Sequence, residues 1–388
     1  MRICLDLSPV VQRKAGLGTY AQRLAEHLLA IDRSNTYLAF HYGQHPPAPL
    51  RPPLDALPRR AVLWSARPWR LGVAARHCLG LNMDSTFPEV DIFHATEHLL
   101  PPLRRVRTVF TFHDAIYVLF PQYHLPLNRL FLGLMMPRFL RRADAIVTIS
   151  ECSKADAVRL YQIDPARIRV IYEGVDTRFQ PVADPTRLAQ VRARYALPER
   201  YILYVGTIEP RKNLVALLEA FHVLRSRFHV SRFTFHAAQD TALKLVIAGQ
   251  RGWLYEGFFS KLRELGLEDE VVLPGYIADD DLPAVYSAAS VFVFPSLYEG
   301  FGLPPLEAMA CGTPVVCSSA SSLPEVCDEA ALLVAPTDVS ALAQAIERVL
   351  SDEPLQATLR ARGLAQAAKF SWERTARETL AMYREVCR

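Results

Sequence analysis

Two glutamates flank a short glycine-containing loop in this chain, and their spacing predicts a ligand-binding site. Glu299 and Glu307 enclose the residues GFGLPPL, in which two glycines let backbone N–H groups approach a ligand closely. Those amides and the N-terminus of a following helix favour an anion such as a diphosphate. A carboxylate beside a phosphate site needs a different partner, and vicinal hydroxyls offer it two parallel hydrogen bonds. We therefore expect a nucleotide-sugar, with Glu307 on the ribose and Glu299 on the sugar beyond the diphosphate.

Each acid also has a simpler explanation when it is taken alone. Glu307 would complement a helix dipole, and Glu299 would be an ordinary solvated side chain. The ordered context EGFGLPPLE favours the ligand site over this alternative.

The residues on either side of the loop predict the elements that position it. Val291–Phe294 is a short β-branched and aromatic run, which is typical of a buried parallel strand. The sequence then predicts a helix over residues 306–311, ended by Gly312, and a strand over residues 314–317. A strand, a loop, a helix and a strand in this order form a unit of a doubly wound parallel sheet.

Two further segments place polar side chains at the ends of predicted strands. Arg211 and Lys212, in GTIEPRKN, follow a predicted strand over residues 201–206, where two cations would neutralise a diphosphate. The alternative is a solvated basic pair. His113, in FHD, follows a predicted strand over residues 109–112, and ligands bind beyond the carboxyl ends of such strands. The alternative for this imidazole is a purely structural role.

Together these segments resemble the motifs of the retaining glycosyltransferases of family 4, which have the two-domain GT-B fold. EGFGLPPLE resembles the E-x7-E signature, GTIEPRKN the diphosphate-contacting segment and FHD the acceptor-side histidine motif. One departure is Thr207, which stands where several relatives carry an arginine. The resemblance extends over nearly the whole chain and implies catalytic roles for His113 and Glu299. The implied donor-binding residues are Gly16, Gly18, Arg211, Lys212, Tyr276, Ile277, Glu299, Gly300, Phe301, Gly302, Leu303 and Glu307.

The fold implied by the resemblance is α/β, with two Rossmann-like doubly wound parallel-sheet domains facing across a cleft. We expect an acceptor-side domain over residues 1–176, a linker over 177–185 and a nucleotide-sugar-binding domain over 186–370. A closing helix over residues 371–388 is expected to cross back to the first domain. A proline-rich stretch, residues 46–58, predicts an irregular surface loop.

The resemblance also implies an activity. It is the transfer of a hexose, with anomeric configuration retained, from a nucleotide-sugar to a glycan or lipid-linked glycan acceptor. The variants of the motifs favour mannose from GDP-mannose, in the assembly of cell-surface polysaccharide or O-antigen. A UDP-sugar donor and a non-catalytic nucleotide-sugar-binding module are the alternatives. No metal and no other cofactor is expected, because two basic side chains and the loop amides would stabilise the departing diphosphate.

Composition predicts the setting of this chemistry. Residues 1–180 hold 23 basic and 15 acidic residues (+8), whereas residues 181–388 hold 21 and 25 (−4). The basic half interleaves Trp64, Trp69, Leu71 and Phe131 with arginines, which favours contact with an anionic membrane surface, and no motif supports nucleic-acid binding. No signal peptide or membrane span is expected, and seven cysteines without paired spacing are typical of reduced thiols. We expect a cytoplasmic protein, peripheral on the inner face of the plasma membrane.

Three consecutive acids, Asp279, Asp280 and Asp281, resemble a metal-binding run. Apolar residues at helical spacing follow them directly, so they are predicted to begin a helix rather than to hold a metal.

Overall fold

The computed structural model describes residues 1–43, 48–231 and 243–388, and these divide into two compact units. The first unit combines Met1–Gly174 with Ser371–Arg388, and the second unit is Val175–Phe370. Residues 177–185, expected to be a linker, lie within the second unit. Pro46 and Pro47 of the predicted proline-rich loop lie outside the described residues.

The strands are short, as is typical of parallel sheets connected by helices. In chain order they are β1 (Arg2–Asp6), β2 (Thr36–Gly43), β3 (Arg59–Ser65), β4 (Ile92–Ala95), β5 (Arg107–Phe112), β6 (Ala145–Thr148), β7 (Ile168–Val170), β8 (Tyr201–Val205), β9 (Lys244–Ala248), β10 (Val271–Gly275), β11 (Val291–Phe294), β12 (Val315–Ser318) and β13 (Ala331–Val334).

Helices connect most of these strands, because parallel neighbours need a crossover connection. In chain order they are α1 (Ser8–Val11), α2 (Ala15–Ile31), α3 (Ala66–Leu79), α4 (Ile116–Leu119), α5 (Pro126–Arg142), α6 (Glu151–Tyr161), α7 (Pro185–Arg194), α8 (Leu214–Ser231), α9 (Glu256–Glu264), α10 (Leu282–Ser287), α11 (Leu303–Ala310), α12 (Leu323–Cys327), α13 (Val339–Ser351), α14 (Glu353–Ala367) and α15 (Trp372–Val386).

Each unit contains one parallel sheet with a reversal in its strand order. The described strands of the first unit follow the order β3-β2-β1-β4-β5-β6-β7, and those of the second follow β10-β9-β8-β11-β12-β13. The order reverses between β1 and β4 and between β8 and β11. At such a switch point the connections leave to opposite faces, and the carboxyl ends of two neighbouring strands open a crevice. The predicted α/β class with doubly wound parallel sheets is confirmed.

Strand β11 gives the candidate loop a rigid starting point. Its residues are buried, and Phe292 pairs with Leu203 of β8 on one side and with Val315 of β12 on the other. The ring of Phe294 stacks on Phe292 at 6.0 Å and on Tyr204 at 5.8 Å. A strand buried by aromatic packing and paired on both edges leaves the following loop little freedom at its first residue.

Helix α15 is part of the first unit and packs along α2. Trp372 at its start is 2% exposed. The Tyr383 hydroxyl shares a hydrogen bond of 2.6 Å with His94 Nδ1, and Thr375 Oγ1 donates to the Tyr172 carbonyl at 2.7 Å. These contacts tie the end of the chain to strands and loops more than 200 residues earlier in sequence.

The start of α15 lies directly against Gly174. A Cβ at this position would lie 2.1 Å from the Trp372 nitrogen and 2.3 Å from the Ser371 carbonyl carbon. We expect Gly174→Ala to lower the free energy of unfolding by about 3 kcal/mol, because these backbone atoms cannot rotate away as a side chain would. Urea unfolding followed by circular dichroism measures the change.

The matched control is Gly133→Ala in α5, where a Cβ would meet nothing within 4 Å. Alanine there should leave stability unchanged or slightly raised, since it favours the helix more than glycine does. Equal unfolding midpoints for the two variants would contradict the role assigned to Gly174.

Candidate active site

The candidate donor residues of the second unit surround the switch point of its sheet. Arg211 and Lys212 lie in a short turn after β8, and Glu299 follows β11. Because β8 and β11 are paired neighbours, their carboxyl ends bring the two segments side by side. The structure therefore joins GTIEPRKN and EGFGLPPLE, which are far apart in sequence.

Four charged side chains form an ion cluster at this point. We call Glu209, Arg211, Lys212 and Glu299 the switch-point cluster. Arg211 Nη2 donates to Glu209 Oε1 at 2.6 Å, and Arg211 Nη1 donates to Glu299 Oε2 at 2.6 Å. Lys212 Nζ donates to the other oxygen of Glu299, Oε1, at 2.7 Å. Two cations and two carboxylates balance, so these four side chains carry no net charge.

Burial makes these ion pairs necessary. Glu209, Lys212 and Glu299 are 4%, 9% and 8% exposed. Burial lowers the pKa of Lys212, and the positive Arg211 lowers it further, while Glu299 and Glu209 act in the opposite direction. Burial acts to raise the pKa of Glu299, but Arg211 and Lys212 outweigh it and lower that pKa to about 2. Glu299 is therefore ionised at neutral pH, and removing its partners would leave a costly buried charge.

The loop that begins at Glu299 is held by two serines that the sequence did not single out. The Glu299 N–H donates to Ser321 Oγ at 2.8 Å, and Ser322 Oγ donates to the carbonyls of Glu299 at 2.9 Å and Phe301 at 2.7 Å. The remaining predicted loop residues are Gly300 and Gly302, which are buried, and Leu303, which is half-buried. Nothing in the local sequence marks the serines, because they approach from the segment after β12.

Helix α11 begins earlier than the sequence predicted. Gly302 has a φ of 118° and caps a helix that starts at Leu303 rather than at residue 306. Two prolines fit the first turn because its amides have no helical partner, although a proline cannot donate to an anion. Glu307 consequently lies in the second turn. The helix dipole acts mainly within the first turn, so complementing the dipole does not explain this carboxylate.

Glu307 is oriented by Tyr286, one of the apolar residues at helical spacing that follow the acidic run. The Tyr286 hydroxyl donates to Glu307 Oε2 at 2.8 Å, and its buried ring packs against Phe292. Burial raises the pKa of Glu307 to about 7, with the Tyr286 hydrogen bond lowering it and Asp279 raising it. Glu307 therefore titrates near neutral pH.

Tyr276 and Ile277, both predicted near the donor, differ in exposure. Tyr276 is 60% exposed and its hydroxyl donates to Asp279 Oδ1 at 2.9 Å, whereas Ile277 is 3% exposed. The Tyr276 ring is accessible to a ligand, whereas Ile277 belongs to the buried core.

His113 lies at the carboxyl end of β5 in the first unit and is 4% exposed. Its Nε2 is 2.8 Å from the Thr96 carbonyl oxygen, and its backbone N–H donates to His98 Nε2 at 3.2 Å. Because a carbonyl oxygen only accepts, Nε2 of His113 carries the proton. Burial, and to a smaller extent the neighbouring His98, lower the pKa of His113 to about 4. The imidazole is therefore neutral at pH 7, with Nδ1 as a hydrogen-bond acceptor.

Gly16 and Gly18 lie in the first turn of α2, which begins at Ala15. A Cβ on Gly18 would lie 3.2 Å from the Pro9 carbonyl oxygen, whereas one on Gly16 would meet nothing within 4 Å. Packing between α1 and α2 explains Gly18, and the open space at Gly16 leaves room for a ligand.

The switch point of the first unit carries a charged group that the sequence did not single out. Glu97 follows β4, is 4% exposed and accepts hydrogen bonds from the Lys14 ammonium and, at 2.5 Å, from the Tyr42 hydroxyl. Asp6 ends β1, and burial followed by the negative Glu97 raises its pKa to about 8. Asp6 and Glu97 stand at the carboxyl ends of adjacent strands, and this position in the sequence could have marked them as candidate site residues.

The acidic run before α10 is structural in the second unit. Asp281 is the N-cap residue of that helix, but its carboxylate accepts from Arg187 at 2.5 Å, Arg194 at 2.9 Å and Tyr195 at 2.7 Å instead of capping it. Within residues 1–43, 48–231 and 243–388, no group of three or more His, Cys, Asp or Glu could hold a metal ion. Among the helices described, none is long and apolar enough to cross a membrane.

Known proteins similar to this chain match both units. Residues 15–179 match the profile described as Glycosyltransferase Family 4, and residues 190–366 match Glycosyl transferases group 1. The chain is 37% identical over 297 residues to the O-antigen chain mannosyltransferase B of Escherichia coli, covering 76% of this chain and 74% of that protein. It is 35% identical over 274 residues to the serotype-specific mannosyltransferase WbdA of Escherichia coli, covering 70% of this chain but 32% of WbdA. The chain thus spans about a third of the length of WbdA.

A solved structure agrees in fold. The sucrose-phosphate synthase of Thermosynechococcus elongatus is 23% identical and superposes with a TM-score of 0.71, covering 100% of this chain and 99% of that one. At this identity the likeness concerns the fold alone, and it confirms the two Rossmann-like domains of the GT-B type.

The raised pKa of Glu307 makes ligand affinity depend on pH. A carboxylate accepts two hydroxyl hydrogen bonds and a carboxylic acid fewer. With the predicted ribose contact at Glu307, affinity for a nucleotide-sugar should increase as pH rises through about 7. The gain between about pH 6 and about pH 8 is up to about tenfold, the change in the ionised fraction. Calorimetric titration measures it.

Two variants identify the titrating group. Glu307→Gln should make affinity independent of pH, and Tyr286→Phe should move the midpoint to higher pH, because the tyrosine hydrogen bond lowers the pKa of Glu307. A flat profile for the unmodified chain would rule out the ribose contact assigned to Glu307.

Proposed function

The chain belongs to glycosyltransferase family 4, and on that premise we propose that it is a retaining mannosyltransferase that uses GDP-mannose. The acceptor in this proposal is a glycan or lipid-linked glycan of a cell-surface polysaccharide. Mannose is supported by the two Escherichia coli relatives, which are 37% and 35% identical and are named mannosyltransferases. The hexosyl transfer itself is the activity of the family.

The observation that carries the proposal is the switch-point cluster beside the EGFG loop. A diphosphate that leaves a sugar gains negative charge, and Arg211 and Lys212 are two cations fixed at the carboxyl ends of paired strands. Glu299 lies within 2.7 Å of both cations, so its carboxylate is adjacent to any sugar attached to a diphosphate bound there. Glu307, held by Tyr286, supplies the second carboxylate for the ribose.

The proposed chemical step exchanges one bond for another at the anomeric carbon. The bond to the diphosphate oxygen breaks while the bond to the acceptor oxygen forms on the same face, and the departing phosphate takes the acceptor proton. Glu299 is a poor candidate for an enzymatic nucleophile, because two cations bind its carboxylate and hold its pKa at about 2. Arg211 and Lys212 stabilise the leaving diphosphate, so the proposal requires no divalent cation.

In this proposal His113 acts on the acceptor side. Burial and the Thr96 carbonyl fix one neutral tautomer, so Nδ1 accepts a hydrogen bond from an acceptor hydroxyl rather than donating one. This hydroxyl lies next to the reacting one, whose proton goes to the departing phosphate. The contact therefore orients the acceptor and leaves donor affinity unaffected.

Transfer is tested with GDP-mannose and a mannoside acceptor. We expect release of GDP, an α-linked product by NMR and activity that survives EDTA. UDP-glucose and UDP-galactose serve as alternative donors. Faster release of UDP than of GDP would mean that the donor is a UDP-sugar and not GDP-mannose. Binding of a donor without transfer or hydrolysis would favour the non-catalytic module instead.

The histidine variant separates binding from turnover. His113→Ala should lower kcat by about a hundredfold while the donor Kd changes little, since only an acceptor contact is lost. His222→Ala, which removes an exposed imidazole from α8, should change neither quantity.

A β-linked product, or an absolute demand for magnesium or manganese, would overturn the mechanism.

We further propose that α3 and α5 of the first unit contact an anionic membrane surface. Arg70 joins the two helices by stacking on Phe131 at 4.1 Å and donating to Asn128 at 2.6 Å. Large apolar side chains are exposed on these helices and on β3, namely Leu63, Trp64, Leu71, Leu127, Leu130 and Leu134. Exposed apolar groups flanked by arginines favour the interface of an anionic bilayer.

One residue expected on this face lies elsewhere. Trp69 is 4% exposed and packs against Phe40 and Tyr42, both at 5.8 Å between ring centroids. The prediction that it belongs to a surface face was wrong, because Trp69 lies on the side of α3 that covers the sheet.

Membrane contact is tested by co-sedimentation with vesicles that contain phosphatidylglycerol. Arg67, Arg129 and Arg138 are exposed, and changing all three to Gln should weaken binding, since each contributes about 1 kcal/mol near an anionic surface. The matched control changes Arg374, Arg377 and Arg384, exposed on α15, in the same way. Equal losses for the two triple variants, or no binding at low salt, would contradict the proposed surface.

A further inference from the structure

Glu299 and its two cations, Arg211 and Lys212, bind each other in this structure, but the proposed function requires them to bind the donor. In this structure Glu299 Oε2 accepts from Arg211 at 2.6 Å and Oε1 accepts from Lys212 at 2.7 Å. The proposed function gives the same cations to a diphosphate and the same carboxylate to sugar hydroxyls. With Lys212 only 9% and Glu299 only 8% exposed, little of either ion pair is accessible to an added anion.

We propose that Glu299 competes with the diphosphate for Arg211 and Lys212, and that the sugar of an intact donor compensates by taking over the carboxylate. A nucleoside diphosphate lacks the sugar beyond the diphosphate, and its ribose hydroxyls are assigned to Glu307. Its binding therefore leaves the Glu299 carboxylate without its cations and without a new partner. Glu299 is thus a specificity-determining residue that favours the nucleotide-sugar over the nucleoside diphosphate product. The inference rests on the proposed function, and it predicts that Glu299 promotes product release.

Glu209 shows why only one carboxylate of the cluster is exchanged. It binds the same guanidinium at the same distance, 2.6 Å, but through Nη2 and from the turn that also carries Arg211. Glu299 instead reaches the guanidinium from the loop after β11, where the glycines admit a ligand. Glu209 is therefore expected to stay bound to Arg211. It has the same charge as Glu299 and the same hydrogen-bond length to Arg211, but it is assigned no sugar contact, so it serves as the control for Glu299.

The net charge of the cluster governs its affinity for an anion. The four side chains are neutral together, and neutralising either carboxylate leaves them with one positive charge. Charges in such buried surroundings interact more strongly than in water. Arg211 Nη1 also donates to the Tyr298 carbonyl at 2.9 Å, which helps to hold the guanidinium in place when one carboxylate is changed.

Calorimetric titration of the full chain with GDP and with GDP-mannose tests the competition. Glu299→Gln should bind GDP about tenfold more tightly, the effect of 1.4 kcal/mol, and GDP-mannose no more tightly than the unmodified chain. Glu209→Gln should tighten both ligands alike. The preference for GDP-mannose over GDP therefore falls only in Glu299→Gln. Glu264→Gln, which removes an exposed carboxylate paired with Lys261, should leave both affinities unchanged.

Different outcomes contradict the competition at Glu299 and the proposed donor. Unchanged or weaker GDP binding by folded Glu299→Gln overturns the competition, and failure of the unmodified chain to bind either nucleotide overturns the proposed donor. Glu299→Asp provides a second test if the glutamine variant does not fold. It keeps the charge but shortens the side chain, which weakens both the ion pairs and the sugar contact. GDP-mannose affinity should therefore fall, while GDP affinity stays the same or increases. Equal losses for both ligands would also overturn the inference.

Discussion

Enclosing Lys212 and the partly buried Arg211 beside a sheet requires carboxylates to neutralise them, and this constraint organises the second unit. Arg211 and Lys212 donate hydrogen bonds to Glu209 and Glu299 at 2.6 to 2.7 Å. The same ion pairs tie the loop after β11 to the turn after β8. In the proposed function this balance matters, because the neutral cluster is proposed to bind a diphosphate only when the carboxylate of Glu299 gains a new partner.

The topology of each sheet determines where such clusters form. Parallel strands on either side of a switch point end together, and their connections leave to opposite faces. In the second unit this brings Lys212 and Glu299 together, and in the first unit it brings Lys14 and Glu97 together. The surrounding loops are then fixed by backbone contacts. Gly249 illustrates this, since a Cβ on it would lie 2.0 Å from the Gly206 carbonyl oxygen.

The sequence predicted the parts of this arrangement that local patterns determine. Apolar runs identified β8 and β11 to within one residue, and the motifs singled out Arg211, Lys212 and Glu299, which the structure brings into contact. Partners that come from distant segments escaped prediction. Tyr286 resembled an ordinary apolar residue of α10, and its hydrogen bond to Glu307 joins two segments that are 21 residues apart. Burial of a side chain such as Trp69 depends on which face of its helix covers the sheet. The neighbouring arginines made the whole segment look exposed, so the sequence did not show which face is buried.

The most direct test of this account is a crystal structure of the full chain with intact GDP-mannose bound. The account predicts that Glu299 has left Arg211 Nη1, 2.6 Å away here, and lies within hydrogen-bond distance of a sugar hydroxyl. Arg211 and Lys212 should contact the diphosphate, while Glu209 still accepts from Arg211. A diphosphate bound away from both cations, with the two ion pairs of Glu299 intact, would contradict the central claim.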